Sequence, residues 1–161
     1  MKNIQRHRYK DKKIFETRTL SFDAYSYSEI DLVIGLIQDN LTPDLLKGRK
    51  SLMYPSDVLT NKYYGHCYHS SQALYYLMDT DKLVSMSGED YRGEKHWWLQ
   101  DGEKIYDCTA NQYIDKGENP PYNIGKKTNW YGWKQRPQQI SLELMKRVLG
   151  SRLKSDSVTV A

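Results

Sequence analysis

The sequence predicts an α+β fold, because helical periodicity and strand-like segments both occur in it. Apolar residues recur at the spacing of one helix face in three segments, at residues 28–40, 67–78 and 141–153. Between residues 82 and 109, three short segments read as strands. The pair Asp101-Gly102 lies between the last two and favours the two-residue turn of an antiparallel hairpin. We therefore expect the helix that begins at Cys67 to pack on a small antiparallel sheet.

The chain has 161 residues, of which 39% are hydrophobic and 12% aromatic, and this length suits one domain with one core. We assign residues 14–154 to that domain and 155–161 to a C-terminal tail. Residues 1–13, "MKNIQRHRYKDKK", form a flexible basic arm with six basic residues and one acid. Two interpretations of the arm stay open: a solvated terminus, or weak attraction to nucleic acid or another polyanion.

Two further features concern the compartment. No apolar run follows the N-terminal charges, and the longest apolar run, "LVIGLI", is too short to span a bilayer. Two cysteines do not make a disulfide framework, so both thiols are expected to be free in a reducing compartment. We expect a cytoplasmic protein without membrane contact.

The N-terminal half contains a strand, a helix and a connection. Residues 14–22, "IFETRTLSF", have the composition of a strand. Ser28 is placed to cap a helix that ends near Asn40, with an apolar face made of Ile30, Val33, Ile34 and Ile37. Residues 47–60 read as a connection. Gly65 then breaks the chain before a helix over 67–78 that carries Ala73, Leu74, Leu77 and Met78.

The C-terminal half contains the sheet, a long loop and a last helix. Strands are predicted at 82–87, 95–100 and 104–109. Residues 110–139 show no periodicity and contain the aromatic residues Trp130, Tyr131 and Trp133, so we predict a functional loop. A helix over 141–153 should bury Leu142, Met145, Val148 and Leu149.

The Asp101-Gly102 turn predicts a register for the hairpin. A loop of these two residues pairs Gln100 with Glu103, Trp98 with Ile105 and His96 with Asp107. Directly opposed residues have Cβ atoms about 4.5 to 5.5 Å apart, so Asp107 can orient the His96 imidazole. Cys108 then points to the opposite face, and we predict that it is a small buried core residue.

Cys67 completes a candidate nucleophilic triad with His96 and Asp107. A helix N-terminus favours the reactive thiolate through its dipole and unpaired N–H groups. The small residues Ser70 and Ser71 would let a sheet that carries His96 pack close to the thiol. The backbone N–H groups at the helix start, with Asn61 as a side-chain candidate, could stabilise an oxyanion.

The histidines on either side of Cys67 raise the alternative of a metal site. "HCYH" offers three ligands in four residues, but a structural zinc site usually needs four ligands. Since His66 precedes the helix and His69 lies inside it, we predict no metal and no cofactor, with His66 in a loop and His69 solvated or hydrogen-bonded. The candidates for a substrate pocket are His66, Trp98, Trp130 and Trp133.

"GHCYHSSQAL", "KHWWLQ" and "KIYDCTANQY" together resemble the core of the transglutaminase-like superfamily, a branch of the papain-like cysteine folds. The matching positions, over about 50 residues, are Gly65 with Cys67, His96 with Trp97 or Trp98, and Asp107 with Thr109. The resemblance implies a papain-like fold in which Cys67 is the nucleophile, His96 the base and Asp107 the orienting acid. The chain departs from the family where Cys108 follows Asp107, since proline often stands there.

A second resemblance covers more of the chain. "YGHCYHSSQALYYL", "HWWLQ", "YDCTANQY", "PPYNIG" and "RPQQISLELMKRV" are similar to a group of small uncharacterised tailed-phage proteins. This resemblance implies a protein that works in the cytoplasm of an infected bacterium, and it implies no activity.

We therefore expect a cysteine-dependent hydrolase or acyltransferase that acts on an amide bond, with the loop at 114–138 shaping the pocket. Two alternatives stay open for each part of the reaction: the substrate is a protein or a small molecule, and the acyl group passes to water or to an amine. The alternative is a binding protein without activity, which holds a host protein or nucleic acid through its tyrosines, Trp130, Trp133 and the basic arm.

Overall fold

A computed structural model of the chain describes residues 22–46, 53–130 and 137–156, and it describes side chains only up to residue 150 in the last range. The basic arm at 1–13, most of the strand predicted at 14–22, and Trp133 lie outside the described residues. Of the predicted tail at 155–161, only 155 and 156 are described, and they continue the last helix.

The described residues form an α+β fold of five α-helices and one four-stranded antiparallel sheet. In chain order the elements are α1 (Ile30–Asp39), α2 (Pro55–Thr60), α3 (Cys67–Leu77), β1 (Val84–Glu89), β2 (Lys95–Asp101), β3 (Lys104–Tyr106), α4 (Asn111–Ile114), β4 (Lys126–Lys127) and α5 (Gln139–Asp156). Short 3₁₀ turns occupy Tyr27–Glu29, Pro43–Leu46 and Tyr122–Ile124. No helix in these ranges is long and apolar enough to cross a membrane.

Helix α1 is predicted correctly in extent, but its start differs in detail. The 3₁₀ turn Tyr27–Glu29 precedes the helix, so Ser28 lies inside that turn instead of capping the helix. Ser26 caps the turn, and its backbone N–H donates to the Glu29 carboxylate at 3.1 Å. The spacing Ser26-x-x-Glu29 is that of a capping box, and this competing signal decides the start.

Helix α3 lies at the centre of the core, where it contacts β2, α1 and α5. Most of its residues are buried, including Ser70 and Ser71, the small residues expected to permit close packing on the sheet. Its polar Gln72 is buried too, and its side-chain oxygen accepts hydrogen bonds from Ser141 Oγ at 2.7 Å and from the Gln138 backbone N–H at 2.8 Å. These bonds attach the start of α5 to the middle of α3. Leu142, Met145, Val148 and Leu149 are buried as predicted.

The sheet has the order β3-β2-β1-β4. The β2–β3 hairpin exists, but it pairs Asp101 with Lys104 and Gln100 with Ile105, so the predicted register is wrong by two residues. The two-residue loop is Gly102-Glu103, with Gly102 at a φ of +59°, and a glycine at the first loop position suits a tight hairpin. Asp101 is the last residue of β2, and its carboxylate accepts a 2.6 Å hydrogen bond from the Tyr27 hydroxyl.

Two segments predicted to lack regular structure contain short elements. The connection predicted at 47–60 includes helix α2, which begins with Pro55 in its first turn. The loop predicted at 110–139 includes α4, a 3₁₀ turn and β4. These elements have two to six residues and are too short for periodicity to indicate them.

Trp130 is a core residue, and its prediction as a substrate-pocket residue is wrong. It is 5% exposed and stacks on Trp97 with the ring centroids 5.6 Å apart. The edges of Tyr68 and Tyr75 complete an aromatic cluster around it. This contact attaches the end of the 110–130 segment to α3 and β2.

Candidate active site

Cys67 is the first residue of α3 and lies in the wall of a cavity of about 490 Å³. Gly65 has a φ of +88°, a conformation that residues with a Cβ rarely adopt, and it turns the chain into the helix. The thiol is partly exposed, and Sγ lies 3.9 Å from the Lys95 carbonyl oxygen at the start of β2. The cavity also has aromatic and polar walls, with Tyr64, Trp97, Tyr113, Asp90, Glu94 and Gln112 among its lining residues.

His96 is fully buried beside this cavity, on β2. Its ring stacks on Trp98, with the ring centroids 5.7 Å apart. Tyr113 packs against it edge to face, with a centroid distance of 4.8 Å. Its Nε2 lies 2.6 Å from Asp107 Oδ2, and its Nδ1 lies 3.3 Å from the Gln112 side-chain nitrogen. Both nitrogens therefore have polar partners, and the ring orientation is determined by its neighbours.

The Asp107 carboxylate accepts four hydrogen bonds. Oδ2 accepts from His96 and, at 2.7 Å, from the Tyr122 hydroxyl. Oδ1 accepts from the backbone N–H of Thr109 at 3.0 Å and from the Thr109 hydroxyl at 3.3 Å. The side chain is only 3% exposed, so these bonds replace the water that an ionised carboxylate needs.

Opposite charges at this site move two pKa values apart. Burial alone would raise the pKa of Asp107, but the charge of His96 and the hydrogen bonds from His96, Tyr122 and Thr109 lower it. Burial would also lower the pKa of His96, but Asp107 and, to a lesser degree, Cys67 raise it to about 10. Asp107 therefore favours the imidazolium that forms when His96 accepts a proton.

The predicted partnership of His96 and Asp107 is present, although the register that predicted it is wrong. A two-residue shift leaves the same side chains on the same face of a sheet. Asp107 follows the end of β3 and reaches His96 from a diagonal position, which is within range of long side chains. The structure also places Cys108 in the core at 1% exposure, as predicted, where burial and the nearby Asp107 charge raise its pKa.

The other predicted site residues have different surroundings. Asn61 is buried in a turn, where its Oδ1 accepts from the Tyr63 backbone N–H and its Nδ2 lies 3.5 Å from the Gln112 carbonyl oxygen. It does not line the cavity, and neither do His66, Trp98 or Trp130. Trp98 instead stacks on the His96 ring.

The histidines beside Cys67 are both buried. His66 is the residue that precedes α3, and the His69 ring nitrogen Nε2 lies 3.1 Å from Gln138 Oε1. Across the described ranges, no group of three or more His, Cys, Asp or Glu side chains is arranged to hold a metal ion.

Sequence reasoning missed three residues at the site, namely Gln112, Tyr113 and Tyr122. Gln112 and Tyr113 belong to the four-residue helix α4, and Tyr122 to a 3₁₀ turn. The only local signal is the pattern Asp107-x-Thr109, in which the threonine bonds back to the carboxylate and turns the chain into α4.

The β1–β2 turn borders the cavity and is held by charged groups. Asp90 accepts the backbone N–H groups of Arg92 and Glu94, each at 2.9 Å, and the Tyr113 hydroxyl at 2.8 Å. Arg92 donates at 2.6 Å to Asp57 of α2. The turn is thus attached both to α2 and to the ring that contacts His96.

Replacing Tyr122 by phenylalanine should lower the free energy of unfolding, and the size of the loss should depend on pH. We expect a loss of about 1.5 kcal/mol at pH 7, because one hydrogen bond to a buried carboxylate disappears. Tyr122 helps to lower the pKa of Asp107, so its contribution is present above the ordinary pKa of 3.8 and is lost as the pH falls through the lower folded-state value.

Urea denaturation at pH 7 and at steps down to pH 2 checks this expectation, because the series passes through the lowered pKa of Asp107. The difference between Tyr122→Phe and the unmodified chain should narrow as the pH falls. Tyr91→Phe, at an exposed ring, serves as the control and should leave stability unchanged at every pH. An equal loss for Tyr122→Phe at every pH would contradict the proposed role of its hydroxyl.

Comparisons of the chain with protein-family models, curated proteins and solved structures found no match.

Proposed function

We propose that the protein is a cysteine-dependent hydrolase or acyltransferase that acts on an amide bond. Cys67 is the nucleophile, His96 the general base and acid, and Asp107 the residue that orients His96. The observation that carries the proposal is the 2.6 Å contact between a fully buried His96 and a buried Asp107, beside a cavity whose wall contains Cys67. In this proposal the chain has a papain-like, transglutaminase-like fold, and the second resemblance favours a role in the cytoplasm of a phage-infected bacterium.

The chemistry follows from the positions of the protons. His96 Nε2–H donates to Asp107, which leaves Nδ1 to take the Cys67 proton. The thiolate attacks the amide carbon, and the tetrahedral intermediate expels the amine as His96 returns the proton. The thioester at Cys67 then meets water in hydrolysis or a second amine in transfer. Backbone N–H groups at the start of α3 would stabilise the developing oxyanion.

An activated ester tests this proposal without knowledge of the natural substrate. Incubation with p-nitrophenyl acetate should add one acetyl group to Cys67, seen by intact mass and peptide mapping. Cys67→Ala should remove the adduct, and His96→Ala should slow its formation. If Cys67 is not acylated while other side chains are, the nucleophile assignment fails. Loss of the adduct on adding a primary amine, with an acetylated amine as product, would favour transfer over hydrolysis.

The alternative of a binding protein has less support. Besides the tyrosines, it relies on Trp130, which is buried in the core, and on Trp133 and the basic arm, which lie outside the described residues. It predicts that Cys67→Ala leaves the biological effect of the protein intact.

A further inference from the structure

Among the described residues that line the cavity, Gln112 is the one whose side-chain amide contacts His96 directly and Asp107 through the Thr109 hydroxyl. Its Nε2 lies 3.3 Å from His96 Nδ1 and 3.1 Å from Thr109 Oγ1. The residue is 7% exposed and belongs to helix α4. It therefore contacts the imidazole nitrogen that Asp107 does not use.

The Thr109 hydroxyl determines which way the Gln112 amide points. That hydroxyl lies 3.3 Å from Asp107 Oδ1, and an ionised carboxylate can only accept, so the hydroxyl donates to it. Thr109 Oγ1 must then accept from Gln112, which places the NH₂ group, and not the carbonyl oxygen, at this end. The second N–H of the same group is directed at His96 Nδ1. In the neutral imidazole, this network makes Nδ1 the acceptor and Nε2 the protonated nitrogen.

We propose that Gln112 is a positioning residue that stabilises the neutral, Nε2-protonated form of His96 against the opposing effect of Asp107, and that it must release Nδ1 before Cys67 can transfer its proton. This inference rests on the proposed function. In the transfer the Cys67 S–H bond breaks, a bond forms between that proton and Nδ1, and the hydrogen bond from Gln112 to Nδ1 is lost. The products are a thiolate and an imidazolium that Asp107 stabilises, so charge and protons balance.

The consequence is that Gln112 raises the pH at which Cys67 becomes reactive. A hydrogen bond donated to Nδ1 stabilises only the neutral imidazole, and it opposes the effect of Asp107. Removing that bond should favour the thiolate–imidazolium pair. The expected shift is a fall of about 0.5 to 1 pH unit in the midpoint of Cys67 alkylation, the effect of one ordinary hydrogen bond.

The test measures the rate of Cys67 alkylation by iodoacetamide against pH, with peptide mass spectrometry. Gln112→Met keeps the size of the side chain and removes the donor, so its midpoint should fall by that amount. Gln38→Met is the matched control, because the Gln38 amide donates to the Cys108 carbonyl away from the imidazole, and its midpoint should not move.

The outcomes separate this inference from the proposed function. If His96→Ala has the same profile as the unmodified chain, the proposed function fails, and the role of Gln112 fails with it. If His96→Ala changes the profile but the midpoint of folded Gln112→Met does not fall, only the inference is overturned. Should Gln112→Met not fold, ¹⁵N NMR of the unmodified protein decides: Nε2–H with an acceptor Nδ1 supports the proposal, and an Nδ1–H tautomer overturns it.

Discussion

Replacing Gly125 by alanine should cost about 3 kcal/mol of stability, which is at the upper end for overpacking a core. A Cβ at this position would lie 2.3 Å from Trp98 Cζ2 and 2.7 Å from Cη2. Trp98 is fully buried, so its ring has no free space to enter. Gly125 has a φ of −63° and a ψ of 144°, which any residue can adopt, so the glycine is required by space and not by backbone conformation.

Chemical denaturation of four variants checks this expectation: Gly125→Ala, Trp98→Phe, the double variant and Gly35→Ala. In a Trp98→Phe background the clashing outer ring atoms are absent, so Gly125→Ala should cost at least about 1 kcal/mol less there. Gly35→Ala is the control: it lies in α1 with no atom near the added Cβ, and it should gain about 0.5 to 1 kcal/mol. An equal loss in the two backgrounds would show that the Trp98 ring is not the obstacle. Because Trp98 stacks on His96, Gly125→Ala should also slow Cys67 alkylation.

Replacing Asp107 by alanine should have the largest effect on both stability and reactivity. It leaves His96 Nε2–H, the Tyr122 hydroxyl and the Thr109 N–H buried without their acceptor. Removing one partner of a buried charged pair costs about 3 to 5 kcal/mol. The loss should be complete at pH 7, since Asp107 is ionised above its lowered pKa.

Asp44→Ala provides the comparison, because Asp44 also pairs with a cation, Arg147, but is exposed to water. Its loss should be much smaller, since exposed ion pairs contribute little. Denaturant titrations at pH 7 compare the two variants. Similar losses for Asp107→Ala and Asp44→Ala would contradict the structural importance of the buried pair. In the folded fraction of Asp107→Ala, Cys67 should also alkylate more slowly, because the imidazolium has lost its counter-charge.

The hairpin shows how much local sequence could predict. The strands and the shared face of His96 and Asp107 follow from alternation and a turn signal, and these are local. The observed register places Asp101 in β2, where its carboxylate accepts a hydrogen bond from Tyr27, 74 residues away in the chain. No local pattern contains that contact. The predicted contact between His96 and Asp107 is still correct, because a register error of two residues leaves each side chain on the same face of the sheet.

The rest of the site depends on tertiary packing. From the sequence, Trp130 is interpreted as an exposed aromatic residue in a loop. In the structure it is covered by residues distant in the chain, namely Trp97, Tyr68 and Tyr75, and no local pattern indicates these contacts. Gln112 has no sequence signal at all, since a single buried amide on a four-residue helix has no periodicity to indicate it. The position of Asn61 six residues before Cys67 suggests an oxyanion donor, but in the structure its amide is used in a turn.

The most direct test of the account is the pH dependence of Cys67 alkylation in the unmodified chain and in His96→Ala. Cys108 serves as an internal control, because it is buried and should react only when the protein unfolds. We predict that, near pH 6, Cys67 of the unmodified chain reacts about tenfold faster than Cys67 of His96→Ala, which corresponds to a shift of one pH unit. Identical profiles, with Cys108 protected in both proteins, would contradict the assignment of His96 as the base for Cys67.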